Sequence, residues 1–318
     1  MDRSGAVAAL RASLVHFARR HPVEGWCVGL SGGADSLALT GVAAMIKPTT
    51  ALIVDHGLQS NSAQVAATAQ HQARQLGCVD ARVLRVDVGT EGGPEAAART
   101  ARYAALGGAR DAMPVLLAHT LDDQAETVLL GLGRGSGARS IAGMMDWDPP
   151  WGRPLLGVRR DVTVGACREL GVDPWQDPHN NDPRYTRVRL RTEVLPLLED
   201  VLGGGVGPAL ARTAAALRED NDALDALADG HLQTRRTDAG LVIDGLEKLP
   251  AALRRRVIRS WLLGSGAAGL TDVQIRAVDA LVMQWRGQGP VAVASPLRYH
   301  RLVVRRRDGL LVTSAQSV

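Results

Sequence analysis

Residues 26–36 read WCVGLSGGADS, and the chain continues LALTGVAAMI to position 46. The apolar run 26–30 has the length of a strand buried on both faces. It enters Ser31-Gly32-Gly33-Ala34-Asp35-Ser36, and a small-residue, leucine-bearing stretch over 35–46 follows with the character of a helix. Strand, glycine turn and helix in that order build an anion site: glycines let the main chain approach a ligand closely, and the first N–H groups of the helix carry its positive end. Ser31 and Ser36 add hydroxyl donors. No Gly-Lys-Ser/Thr follows, which excludes a Walker A loop. A lone Gly-Gly would read as an ordinary strand-to-helix turn; the whole string after a buried run reads as a phosphate-binding one.

The surrounding pattern repeats this unit. Strand-like runs at 26–30, 50–55, 81–87 and 114–118 alternate with helix-like runs at 35–46, 61–76, 95–110 and 121–132. That spacing predicts an α/β fold with a doubly wound parallel sheet. Ligands of such sheets lie beyond the carboxyl ends of the strands, where SGGADS, Asp55-His56-Gly57 and His119-Thr120 all fall. Ser60 or Asn61 is placed to cap the helix that follows. Residues 133–160 read as loops, 161–171 and 187–199 as helices, and LGGGVGP at 202–208 as a linker. Beyond it, helices over 209–229, 251–263 and 271–285 precede alternating strands at 290–313 with turns at Pro296 and Asp308-Gly309. The expected organisation is a nucleotide-binding domain over 1–202 and a smaller helical and mixed domain over 203–318.

With 318 residues, two domains are the expectation. No stretch approaches the ~20 apolar residues of a membrane span. The N-terminal twenty residues are amphipathic without a continuous apolar segment, which predicts a surface helix, not a signal peptide. Cys27, Cys78 and Cys167 are odd in number and have no Cys-x-x-Cys spacing, so neither a disulfide framework nor a paired-cysteine metal site is expected, and a reducing cytoplasm fits. The net charge is +4, carried by 35 arginines against two lysines, a bias that arginine-rich codon usage largely explains. The clusters Arg184/Arg187/Arg189/Arg191, Arg254–Arg256 with Arg259, and Arg305–Arg307 point to phosphate or RNA more strongly than the total does.

VLLAHTLDDQAETVLL at 115–130 is the second informative string. Three-residue spacing puts Asp123 and Glu126 on one face at the mouth of a helix, with His119 just outside it. Two carboxylates facing a pocket suit a ligand bearing ammonium groups. The competing explanation is local: Thr120-x-x-Asp123 is a capping-box spacing, and acids favour a first helical turn. In EAAARTARYAAL, Arg99 and Arg102 share a polar helix face, and a solvated surface accounts for at least one of them.

SGGADS resembles the PP-loop of ATP pyrophosphatases, enzymes that split ATP between its α and β phosphates. The ordered set SGGADS, DHGL, EAAAR, AHTLDDQAETVLLGLGRGSG, RPLL, DPHN and RVRLRTEVLP is similar to the tRNA(Ile)-lysidine synthase family, densely over about 22–200. GQGPVAV near 287–293 resembles that family's smaller C-terminal domain. The resemblance implies adenylation of the 2-carbonyl oxygen of the wobble cytidine in a CAU-anticodon tRNA(Ile), followed by displacement of AMP by free L-lysine. It implies ATP on Ser31, Gly32, Gly33, Asp35 and Ser36, with Asp35 helping to hold Mg2+; Ala34 belongs to the same turn, and Asp55 and His56, at the end of their strand, are expected to point into the same cleft. His119, Asp123 and Glu126 match its lysine-pocket positions, and Arg99 and Arg191 match arginines that act on the activated intermediate. Whether a carboxylate or His119 takes the lysine proton is open at this level. Val188 departs from the pattern, which has asparagine after Arg187. A homodimer is the assembly to test. Among rivals, a tRNA thiolase ordinarily needs paired cysteines, GMP and NAD synthetases lack the acidic-helix and DPHN strings together, and a non-catalytic RNA-binding protein would not need an intact SGGADS.

Overall fold

A computed structural model describes residues 5–57, 61–89, 93–135, 137–178, 182–296 and 300–317. The chain forms two compact units, Met1–Gly135 with Ser140–Ala214, and Ser136–Arg139 with Ala215–Val318.

The first unit opens with α1 (Ala6–Arg20) and β1 (Trp26–Gly29), followed by α2 (Ala34–Ala44), β2 (Thr49–Asp55), α3 (Ser62–Gln75), β3 (Asp80–Arg85), α4 (Pro94–Gly108), β4 (Val115–Leu116) and α5 (Leu121–Gly133). The predicted strand and helix order holds, with β3 and β4 shorter than the apolar runs. The sheet order is β3-β2-β1-β4 and continues through a hairpin the sequence did not betray, β5 (Trp147–Asp148) and β6 (Trp151–Gly152), after the one-turn α6 (Ala138–Ile141). β6 joins β4 in parallel and β5 pairs with β6 antiparallel. Gly152 is required there, because a Cβ would lie 2.6 Å from the Phe17 ring.

Strand alternation sorts side chains to two faces. Trp26, Val28, Ala51 and Ile53 join the core shared with α1 and α2, whereas Cys27, Leu52, Val115 and Leu117 join a second core with Leu106 of α4. The indole of Trp26 donates to Thr49 Oγ1 at 2.8 Å, so burying it leaves no orphan donor. α1 is more than a surface helix: Leu10, Leu14 and Phe17 are core residues. Chain order reverses direction between β1 and β4, the position at which doubly wound sheets open a ligand crevice.

α7 (Arg160–Leu170) packs on α1 and α2. The helix expected near 187–199 is composite: α8 (Thr186–Arg189), a π-helical turn (Leu190–Val194) and α9 (Leu195–Val201). Pro196 sits in the first turn of α9, where it offers no N–H and crowds the carbonyl four residues earlier, which accounts for the widened turn before it.

LGGGVGP is not a loose linker. Gly203, Gly204 and Gly205 all have positive φ, and Glu199 accepts from Val206 N at 3.1 Å and Gly207 N at 3.0 Å, capping the next helix, α10 (Val206–Arg235). The division between units falls inside α10, at Ala214, not at Leu202.

The second unit adds β7 (Arg236–Thr237), β8 (Gly240–Val242), α11 (Ala251–Gly264), α12 (Asp272–Met283), β9 (Val291–Val293), β10 (His300–Arg307) and β11 (Leu310–Ser317). Its antiparallel sheet runs β7-β8-β11-β10-β9. Asp308 and Gly309, both with positive φ, make the predicted β10–β11 turn. Leu241, Leu246, Val257, Ile258, Trp261, Val278, Leu281 and Val304 form its core. No single helix among the described residues is long and apolar enough to cross a membrane.

Candidate active site

The glycine turn leaves β1 with Gly32 at φ 84°, a conformation in which side chains other than glycine are strained, and Gly32 O accepts from Trp175 N at 2.9 Å. Gly33 is the extended N-cap of α2, and no side chain caps that end, so the first helical N–H groups are available to an anion. Ser36 acts inward. Its hydroxyl donates to Gly33 O at 2.9 Å and accepts from Ser31 N at 3.2 Å, holding the turn closed while Ser31 stays exposed.

Asp35 lies in the first turn of α2, where one carboxylate oxygen accepts from Thr163 Oγ1 and the other from Arg160 Nε at 3.2 Å. Burial raises its pKa, against the lowering effect of Thr163 and Arg160. Arg160 goes on to reach the acidic helix, with Nη2 2.6 Å from Asp123 Oδ1 and Nη1 3.8 Å from Glu126 Oε1. The backbone N–H of Arg160 donates to Asp122 Oδ2 at 2.8 Å, so a side chain of α5 caps α7. Asp123 caps its own helix. Thr120 N donates to it at 2.8 Å, and its N–H donates to Thr120 Oγ1 at 3.4 Å. The capping box is therefore real, and Asp123 makes it while turning its other oxygen to the cleft.

Glu126 is fully buried. Arg191, on the π-helical turn, donates Nε to Glu126 Oε1 at 2.8 Å, and Arg187 Nη1 lies 3.6 Å from Oε2, which has no hydrogen-bond partner. Arg160 is the residue that sequence reasoning missed: it joins the carboxylate of the glycine turn to both carboxylates of the acidic helix.

A basic wall faces them. His119 follows β4, with Nδ1 buried and unpartnered. Burial pushes its pKa down to about 4; Asp123 opposes the shift, and Arg153, Arg102 and Arg99 add to it. His56 beyond β2 is likewise lowered, by burial and then by Arg102, and its Nδ1 also lacks a partner. Arg102 has a buried, unpartnered Nε, and its guanidinium and that of exposed Arg99 lie 5.5 and 4.9 Å from the Tyr103 ring centroid. Unmatched buried polar atoms of this kind fit a site awaiting a polar ligand.

A PP-loop domain model matches residues 8–198, and a TilS substrate binding domain model matches 241–311. The tRNA(Ile)-lysidine synthases of Mycobacterium bovis and Mycobacterium tuberculosis are each 67% identical to the chain over 324 residues, covering 100% of both sequences. The chain belongs to the tRNA(Ile)-lysidine synthase family. The family member from Nocardia farcinica is 61% identical, over 94% of this chain and 98% of its own. Among solved structures, the U34-tRNA thiolase NcsA from Methanococcus maripaludis shares the fold at a TM-score of 0.54 and 18% identity, over 67% of this chain and 80% of that one.

Several residues of the tRNA(Ile)-lysidine synthase pattern stand apart from the cleft. Asp55 does not point into it: its carboxylate accepts from Gly57 N at 3.0 Å and from Ser62, bonds that lower its pKa and hold the turn after β2. Asn61 occupies the N-cap of α3 without capping it through its side chain, and Ser60 lies outside the described residues. Arg184 and Arg189 are exposed and pair with Asp182 and Glu193, so only Arg187 and Arg191 of that cluster reach the site. Val188 is buried, which suits its apolar side chain. His179 and Asn180 of DPHN lie outside the described residues. Arg254, expected to meet RNA, is buried against Asp279 at 2.5 Å. Cys27 and Cys167 are buried in different cores, and burial pushes all three thiols up to about 11, far from cluster-ligating thiolates.

Among the described residues no group of three His, Cys, Asp or Glu side chains could hold a metal ion. Asp35 already accepts a bond on each oxygen, though a carboxylate has further lone pairs. The residues present therefore fit Mg2+ only as a cation arriving on phosphates, which matches its habit of taking one or two carboxylates.

Proposed function

We propose that this chain binds ATP at the SGGADS turn, adenylates the 2-carbonyl oxygen of the wobble cytidine of CAU-anticodon tRNA(Ile), and joins free L-lysine to that base. The observation that carries this proposal is the convergence of the phosphate turn and the acidic helix at one crevice, with Arg160 touching Asp35, Asp123 and Glu126. In the first step the cytidine oxygen attacks the α-phosphorus and pyrophosphate leaves. The helix N-terminus of α2 receives phosphate charge. Mg2+ bound with the triphosphate supplies further neutralisation, and Asp35 is the carboxylate that would hold it.

In the second step the ε-nitrogen of lysine attacks C2 of the base and AMP leaves. Asp123 and Glu126 orient lysine by its ammonium groups, His119 takes the proton that frees the ε-amine for attack, the departing AMP phosphate carries off the proton shed as the C–N bond forms, and Arg99 and Arg191 stabilise charge on that phosphate. Burial, which lowers its pKa to about 4, favours the neutral imidazole, and its Nδ1 has no hydrogen-bond partner. A cytoplasmic protein fits a tRNA substrate and unpaired cysteines; the homodimer is an expectation that sedimentation tests.

The test is nucleoside analysis of a CAU-anticodon tRNA transcript incubated with protein, ATP and lysine. Lysidine in place of the wobble cytidine is expected. Unmodified cytidine with no pyrophosphate release would overturn the assignment.

A further inference from the structure

Arg160 occupies the place at which two ligands would compete for it. Its guanidinium takes Asp123 Oδ1 at 2.6 Å and lies 3.8 Å from Glu126, while Nε takes Asp35 at 3.2 Å in the first turn of the phosphate helix. The other oxygen of Asp123 is held by Thr120. An ammonium group that is to meet Asp123 therefore meets the oxygen Arg160 now holds, and although that oxygen has a further lone pair, the ammonium would sit against the charge of the guanidinium. Three carboxylates, Asp35, Asp123 and Glu126, face three guanidinium groups, Arg160, Arg187 and Arg191, with Arg99 and Arg102 on the opposite wall, so the carboxylates are already compensated and attract a further cation weakly. The same guanidinium is one residue's reach from the SGGADS turn through Asp35, and phosphate oxygens are strong acceptors for arginine.

We propose that Arg160 is a positioning residue that couples the two subsites: polyphosphate at the glycine turn draws its guanidinium away from Asp123 and Glu126, and lysine then binds to the carboxylates it leaves. The inference rests on the lysine-ligation assignment. It makes the binding of ATP and lysine cooperative through one side chain, and linkage requires each ligand to raise the affinity of the other by the same factor. Thr163 and the cap from Asp122 hold α7 in place, so the side chain of Arg160 can move without its helix.

The experiment is calorimetric titration of lysine into the full chain, with and without an ATP analogue carrying a methylene between the α and β phosphates. For the unaltered protein the analogue should tighten lysine binding at least about tenfold, and lysine should tighten analogue binding equally. In Arg160→Gln, lysine affinity should be the same with and without the analogue. If glutamine prevents folding, Arg160→Lys serves: a point charge cannot span three carboxylates, so the enhancement should fall below about threefold. Equal lysine affinity under both conditions in a protein that makes lysidine would overturn the coupling alone, as would undiminished enhancement in either variant. No lysine binding together with no lysidine would overturn the assigned reaction and the coupling with it.

Discussion

Arg191 donates Nε to Glu126 at 2.8 Å, an ion pair with one fully buried partner and one whose side chain keeps 32% of its exposure. The buried end anchors the arginine and the exposed end leaves its terminal nitrogens at the cleft. A planar fork held by its Nε can still present donors to phosphate.

Arg191→Lys is therefore expected to be a severe change. Lysine keeps the charge, but one ammonium cannot hold Glu126 and a phosphate together. The rate of lysidine formation in single turnover should fall at least about tenfold, or ~1.4 kcal/mol. A full-rate lysine variant would show that only diffuse charge matters at this position.

Asp123→Asn and Glu126→Gln separate ligand binding from helix capping. Both keep a side-chain acceptor and lose a charge. If both residues serve lysine, apparent lysine affinity should drop by about 1.5–3 kcal/mol, the value of a charge-assisted hydrogen bond, while tRNA adenylation continues. Lower melting temperatures with unchanged lysine dependence would reduce Asp123 to its capping box and Glu126 to a partner for arginines.

Acid should destabilise the fold through His119. Its folded pKa is about 4 against 6.5 for the free side chain. Between those values the unfolded chain binds a proton that the folded chain does not, so stability rises with pH across that window and is lost as pH falls from 6.5 toward 4. Above 6.5 the imidazole is neutral in both states and contributes nothing. Denaturant midpoints at pH 7 and pH 5 should differ less for His119→Gln than for the unaltered protein; equal differences would discount this histidine.

Arg254→Ala and the Arg305→Ala/Arg307→Ala pair should behave oppositely. Arg254 is buried with Asp279, and its loss should cost about 2–4 kcal/mol of stability, moderated because Arg255 also reaches Asp279. Arg305 and Arg307 are exposed on β10. Their removal should leave the melting temperature nearly unchanged while weakening tRNA binding and flattening its salt dependence by about one unit for each phosphate no longer neutralised. A thermally unaffected Arg254→Ala, or an unchanged salt slope in the β10 variant, would refute the respective half.

The parts of the fold that follow from local chemistry could be read in advance. The buried run before SGGADS, the period of α5 and the Asp308-Gly309 turn each state their geometry within a few residues. Arg254, grouped by its neighbours with the RNA-facing arginines, is buried instead, and the signal for that is its place on the 254, 257, 258, 261 stripe that Val257, Ile258 and Trp261 make apolar. The role of Arg160 has no such signal. Nothing local distinguishes it from Arg159, and only the docking of α7 brings it to carboxylates from two other helices. The β5–β6 hairpin is hidden for a similar reason: two-residue strands have no periodicity, and their pairing depends on the edge offered by β4. LGGGVGP misleads because three glycines signal flexibility in composition, whereas here they satisfy three consecutive positive φ angles.

The π-helical turn over Leu190–Val194 makes chain length a constraint in its own right. It accommodates one residue more than a regular turn, between the segment bearing Arg187 and the segment anchored by Pro196. Losing one residue from the regular helix between Arg187 and this turn, where nothing absorbs the change, would rotate everything before it by about 100°. Arg187 would swing off Glu126 with no side chain substituted. A one-codon deletion at 188–189 should thus be as damaging as replacing an arginine, whereas one within the widened turn should leave the flanks nearly in phase.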